Sequence, residues 1–269
     1  MTMEAEETSN LQSRKKTGLI ILIVLLSAFI IYYSIMSLLS PVKKLKEINK
    51  EYAFKQDEKT QIDERIFSDS TYLSLLKEKA YLQSRISMAE TDSIYLIINL
   101  VDSIVNLEIS GVMVHPAKIK DLRMSRILEI GNEFIISSML SSPFTIVNYI
   151  SSIEKEPLMI QMAPKDTSEY QPDIMPDTAD FEPVNYILEM QNGIRIYIYQ
   201  EEKIKHGDRM HIFIFDLRDR LHNTLGYLKN ILVFKIPDYQ PYIKMKLPRA
   251  DAKIIFRAIP NHGQIAVYR

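Results

Sequence analysis

Apolar and polar positions divide this chain into three patterns. Gly18 to Leu39 reads GLIILIVLLSAFIIYYSIMSLL, and no charged residue occurs between Lys16 and Lys43. Twenty-two residues at the helical rise span roughly 33 Å, enough for a bilayer core of roughly 30 Å. The run shows no polar face, as a buried core helix would, and exceeds a signal-peptide apolar region; Ser-Pro-Val-Lys after it is a poor cleavage site. Ser27, Ser34 and Ser37 fit, because a helical hydroxyl bonds a carbonyl of the preceding turn. Tyr32 and Tyr33 mark the approach to one interface. The pattern predicts a transmembrane helix over 18–40.

Residues 1–17 are polar and read as a disordered tail. From 41 to 92 the pattern is helical and charged. Pro41 opens a new segment at a first turn. Leu45, Ile48, Tyr52, Lys55, Lys59, Ile62 and Ile66 follow heptad spacing, but two of the seven are lysines. Both a weak dimer seam and a solvated helical stalk fit that run. Ser68 to Thr71 is a break with a fresh N-cap, and a second helix covers 71–90, its apolar face free to extend a hairpin or to dock on the domain beyond it.

At Ser93 the period shortens to two. Ile94–Leu100, Ile104–Ile109 and Val112–Ile119 read as a meander, with Pro116 placing the third strand at an edge. Residues 120–150 are ambiguous between helix and strand. The prolines at 157, 164, 172, 176 and 183 mark an insertion over about 151–183. Val184–Met190 and Ile194–Tyr199 form a hairpin about Gln191-Asn192-Gly193. His206-Gly207-Asp208 reads as a turn, 211–215 as strand, 218–230 as a short helix and 231–236 as strand. Tyr242–Leu247 alternates, Pro248 opens a helix, Pro260-Asn261-His262-Gly263 stops it, and Gln264–Tyr268 closes as a strand. The fold class predicted is an N-terminal transmembrane helix and helical stalk, then a β-rich α+β domain over 93–269.

Composition narrows the chemistry. With 33 basic and 34 acidic residues the net charge is −1, which argues against a nucleic-acid binder. There is no cysteine, so disulfides, thiolate metal sites and a thiol nucleophile are excluded. Neither GxGxxG nor GxxxxGK[ST] occurs. The histidines at 115, 206, 211, 222 and 262 have no HExxH spacing, and Asp173, Asp177 and Asp180 lack EF-hand spacing. No cofactor and no metal is expected. Lys244 and Lys246 share one face of a strand, suited to an anionic group or to keeping an edge soluble.

The block IKMKLPRADAKIIFRAIPNHGQIAVY resembles the end of the L,D-transpeptidase catalytic domain. That family runs S-H-G-C-I-R-L, a polar residue or two, D-A, a short helix, a P-x-G turn and a V-x-I-Y strand. Leu247, Asp251-Ala252, Pro260, Gly263 and Tyr268 carry the match. The meander 94–119 resembles the family's first strands. The resemblance implies a β-sandwich and a periplasmic setting, hence an inward N-terminus and a C-terminal domain outside a bacterial inner membrane. Arg14, Lys15 and Lys16 before the span against Lys43, Lys44, Lys46 and Lys50 after it give no clean answer on orientation and lean slightly toward a cytoplasmic C-terminal part, against the setting the resemblance implies. The alignment puts Lys244 where the family has its cysteine, Tyr242 at the histidine and Lys246 at the arginine. It implies a pseudoenzyme, with Tyr242, Lys244 and Lys246 as a binding cleft and peptidoglycan or envelope proteins as partners. Two rivals stand beside it: an assembly subunit of an envelope machine for secretion or motility, and an enzyme using carboxylates or histidines.

Overall fold

The computed structural model describes residues 2–52, 70–155, 182–202 and 208–269. The elements, in order, are α1 (Thr2–Tyr52), α2 (Ser70–Ala89), β1 (Ile94–Asn99), β2 (Ile104–Ile109), β3 (Val112–Lys118) and β4 (Asp121–Met124). Then come α3 (Arg126–Ile130), α4 (Glu133–Ser141), β5 (Phe144–Ser151), β6 (Asn185–Met190) and β7 (Arg195–Gln200). The last are α5 (Asp208–Leu232), β8 (Tyr242–Leu247), α6 (Arg249–Ala258) and β9 (Gln264–Tyr268). The chain divides into two units, 1–46 with 221–239 and 47–220 with 240–269. The stalk positions 55–66, the break at 68–69 and most of the Pro-rich insertion lie outside the described residues.

The first unit is built on α1. The apolar run sits inside it, with a mean hydropathy of 2.7 and none of that window buried, and it is the one helix among the described residues long and apolar enough to cross a membrane. Ser27 donates to the Val24 carbonyl and Ser34 to that of Ile30, both at 2.8 Å, so the hydroxyls are satisfied within the helix. Residues 2–17, read from sequence as a tail, are helical here; no proline or glycine interrupts them. Pro41 also departs from expectation, lying inside α1 and not at a new start. A mid-helix proline removes a donor and costs about 3 kcal/mol. Contacts on both sides hold the helix through it: Ser40 donates to the Pro237 carbonyl at 2.7 Å and Lys43 pairs with Asp238 at 2.9 Å. Further up the same face, Tyr32 donates to the Ile231 carbonyl at 3.2 Å and its ring meets that of Phe234 at 5.7 Å.

The second unit holds a nine-stranded mixed sheet in the order β3-β2-β1-β9-β5-β6-β7-β8-β4. Period-two alternation makes the strands, and their turns come where the sequence places them: Gly111 and Gly193 have φ of 80° and 79°, a region that costs glycine nothing. β3, with Pro116, is an edge strand as expected. β1 pairs with β9 in parallel, as β7 does with β8; the remaining pairs are antiparallel. The ambiguous region 120–150 resolves into β4, two short helices and β5. Asn132 caps α4 by accepting from the backbone N–H of Phe134 and Ile135.

Helices cover both faces. α6 is the crossover from β8 to β9, passing β7, β6 and β5. Its ten residues run roughly 15 Å, close to the roughly 19 Å of four strand spacings. Phe256 of α6 packs on Tyr186 of β6 at 4.8 Å and edge-on to Tyr149 of β5 at 5.6 Å. α2 docks on the sheet, where Met88 and Tyr81 meet Tyr95, Ile97 and Ala266. Its Arg85 reaches the buried carboxylate of Glu108 at 2.9 Å, which also accepts from the Tyr95 hydroxyl at 3.1 Å. A buried charge is tolerable only when paired and hydrogen-bonded, and this one is both.

α5 is the main correction. The stretch 211–215 is helical and not strand, and 231–236 contains the end of α5 and a turn, with no strand. His-Ile-Phe-Ile-Phe has β propensity, but Asp216 and Asp219, three apart, put both carboxylates on one helical face, where the sheet supplies partners. Tertiary pairing overrides local preference there.

Phe256 is 1% exposed and touches two aromatic rings, so Phe256→Ala should cost about 3–5 kcal/mol. Denaturant unfolding of the detergent-solubilised chain checks this; an unchanged midpoint would show that α6 is not holding the crossover.

Candidate functional site

Alternation along β7 sends Ile196 and Ile198 to one face and Arg195, Tyr197 and Tyr199 to the other. The parallel register sets Arg195 beside Tyr242, Tyr197 beside Lys244 and Tyr199 beside Lys246. β6 adds Glu189 opposite Arg195, and β4 adds Asp121 and Arg123 opposite Lys246 and Lys244. One face of four adjacent strands is therefore charged and aromatic. The N-terminal half of α5 covers it, placing Ile212 and Phe215 on the tyrosines.

Two carboxylates of α5 fasten this face. Asp219 takes both arms of Arg195, at 2.7 and 3.2 Å, and the Tyr197 hydroxyl at 3.0 Å. Arg195 also pairs with Glu189 at 2.9 Å, its side chain only 3% exposed. Asp216 accepts from the Tyr199 hydroxyl at 2.7 Å. Burial, with the Asp216 carboxylate beside it, pushes the Tyr199 phenol above its ordinary value of 10.0, and burial does the same to Tyr197.

Lys244 lies within the rings. Its Nζ is 4.3 Å from the centroid of Tyr197, 5.4 Å from Tyr242 and 5.8 Å from Tyr199. The faces of aromatic rings attract a cation at such distances. Burial pulls the Lys244 ammonium below the ordinary lysine value, opposed by Asp216. Lys246, one repeat along, turns outward to Asp121 at 3.1 Å and stays half-exposed. A cleft of about 340 Å³ opens here, lined by Arg123, Tyr199, Asp216, Arg220, Lys244 and Lys246 among others. So the three residues singled out from sequence divide: Lys244 and Lys246 line the cleft, and Tyr242 sits behind Lys244 as part of its ring surround.

A larger, open groove of about 520 Å³ lies elsewhere, beside Lys155, Arg257 and Asn261. It holds none of the sequence-predicted residues, and the convergence of charge is far weaker there. The histidines do not gather. His115 pairs with Asp251 at 2.9 Å, His262 contacts the Ile146 carbonyl, His211 and His222 are exposed, and His206 lies outside the described residues. Asp173, Asp177 and Asp180 lie outside them too. Among the described residues no three potential ligands come together.

Sequence reading found the β8 half of the site and missed Arg195, Tyr197, Tyr199, Asp216 and Asp219. The Arg-x-Tyr-x-Tyr alternation of β7 was the signal available for the first three. Chemically, the site can hold an anionic or hydrogen-bonding group against cations set on aromatic rings. Comparison with family models, curated proteins and solved structures returns no match.

Asp219→Ala would leave the buried Arg195 without its bidentate partner and should cost about 3–5 kcal/mol, whereas Arg195→Met with Asp219→Leu should cost much less. Equal losses in denaturant unfolding would refute the pairing. The raised phenols carry a pH consequence. The folded chain holds protons that the unfolded chain releases above pH 10.0, so this contribution is complete below that pH and is lost as pH climbs toward the folded values. In an alkaline absorbance titration, a late tyrosinate fraction should appear together with unfolding and shrink in Tyr197→Phe/Tyr199→Phe. Full ionisation of every tyrosine with the fold intact would contradict the assignment.

Proposed function

We propose that this chain is a single-pass protein of a bacterial inner membrane that presents its sheet domain to the periplasm and acts by binding. On this reading α1 is the anchor, and the domain is a degenerate, L,D-transpeptidase-like module whose cleft takes an acidic group of peptidoglycan or of an envelope protein. The observation that carries it is the environment of Lys244. The position aligned with the family's nucleophile is a lysine set among three tyrosine rings, 4.3–5.8 Å away, at the wall of a charged cleft. An amine that attacked a peptide carbonyl would form a stable amide and stop, so that position suits recognition and not turnover. The order β8, α6, turn, β9 supports the likeness, since it matches the order of motifs in the resemblance; the β-sandwich that the resemblance implies is replaced here by a single sheet with helices on both faces.

A second reading has its own observation. Met210, Phe213, Ile214 and Leu217 of α5 are 42–60% exposed, on the side away from Asp216 and Asp219. Exposed apolar faces of this kind mark protein contacts. That favours a subunit of an envelope assembly, of secretion or motility type, without wall contact.

Sacculus pull-down separates the two. The wall-binding reading expects retention of the wild type and a loss of about tenfold or more in Lys244→Ala/Lys246→Ala, equivalent to about 1.4 kcal/mol. Absence of binding by both proteins would overturn it and leave the assembly reading. Cross-linked product from tetrapeptide muropeptides, seen by mass spectrometry, would overturn the non-catalytic reading. A phosphatase fusion after Arg269 should be active; a fluorescent, phosphatase-negative pair of fusions would reverse the orientation.

A further inference from the structure

We propose that the turn closing α5, Leu232-Val233-Phe234, is a second membrane-contacting element, seated among the acyl chains of the leaflet crossed by the C-terminal half of the apolar run. The occupant of this apolar surface is lipid. The inference rests on reading α1 as the anchor, and all of its parts belong to the first unit.

Depth comes from Tyr32. That residue lies seven positions inside Leu39, so its Cα is roughly 10 Å short of the end of the span. Its hydroxyl donates to the Ile231 carbonyl and its ring packs on Phe234, which ties the turn to that level of the helix. The polar ties then come in order toward the end of the span: Ser40 to Pro237, and Lys43 to Asp238.

The surface is apolar and continuous with α1. Leu232 and Val233 are about 60% exposed and Phe234 is 79% exposed, with Leu225 of the same helix at 66%. In water each such side chain forgoes about 1.5–3 kcal/mol of burial. Residues 231–234 carry no charge, and Lys229 and Lys235 flank them. Lysine stems lie along apolar surface while their ammonium groups reach the headgroups.

The backbone donors of the turn are paired within the chain, as hydrocarbon demands of an N–H group. Val233 donates to Lys229 at 3.3 Å, Phe234 to Ile231 at 3.0 Å and Lys235 to Asn230 at 2.9 Å. The last two bonds form a Schellman cap. Its left-handed position, normally glycine, is Phe234, with φ 57°. An aromatic there costs about 1–2 kcal/mol over glycine. Transfer of the exposed ring to acyl chains offsets that cost.

The chain has no tryptophan, so a single introduced one reports alone. Full-length Phe234→Trp would be reconstituted in phosphatidylcholine vesicles carrying acyl-brominated lipid, with iodide as the aqueous quencher. Ile23→Trp marks the span, and Val101→Trp, exposed on the sheet domain, marks water. Val233→Trp guards against disturbance of the cap. The expected result is bromolipid quenching of positions 233 and 234 several-fold above position 101, near that of position 23, with little iodide effect. Iodide quenching of 233 and 234 while 23 responds to bromolipid overturns the proposal and leaves the anchor intact. Protection of both from both quenchers also overturns it, since protein then covers the turn. Failure of position 23 to respond to bromolipid overturns the anchor reading itself.

Discussion

The nine-stranded sheet depends on β9. On one side of it lie β1, β2 and β3; on the other lie β5, β6, β7, β8 and β4. Among the described residues no other strand joins the two groups. β9 pairs in parallel with β1 through Leu96–Ile265 to Asn99–Tyr268, and antiparallel with β5 at Phe144–Ile265. Ile265, Ala266 and Val267 are fully buried, so the joining strand is also core. α6 delivers β9 to that slot, and the buried Phe256 of α6 packs on the strands it passes. The site at the β8 end is thereby held in a sheet whose far half is secured by the same helix and strand.

The second organising feature is the unequal use of the two faces of β7. One face is plain apolar core. The other carries a guanidinium, two phenols and a neighbouring ammonium, with an amphipathic helix laid over them. Two aspartates of α5 partner the terminal nitrogens of the guanidinium and both phenols, while Arg195 Nε stays buried without a hydrogen bond. Their pairing leaves Lys244 enclosed by rings but still at the cleft wall.

Much of this was legible in the sequence, for identifiable reasons. β8, α6 and β9 read almost residue by residue because Pro248 opens the helix and Pro260 to Gly263 close it. The meander β1–β3 and the β6–β7 hairpin read as well, since their turns demand glycine or short polar residues. α5 did not. Ile212 to Phe215 are consecutive β-branched and aromatic residues with no helical spacing, and the deciding partners on β7 are distant in sequence. β4 was hidden because Asp-Leu-Arg-Met alternates over only four residues, too few to stand out from the flanking sequence; pairing with β8 makes it a strand. Pro41 misled for a similar reason: the contacts that carry α1 through it come from residues 237 and 238.

The long reach of β9 has a kinetic side. Leu96 meets Ile265 about 170 positions along the chain, and closing so large a loop delays the pairing that rewards it. Until then β1 and β5 present open edges, and β1 is Ile-Tyr-Leu-Ile-Ile-Asn, a sequence well suited to pairing with other chains. The half-made sheet is therefore the aggregation-prone species of this protein. A chain tethered by α1 to a surface would meet its neighbours at high local density in that state, which favours pairing between copies through the β1 edge before β9 arrives.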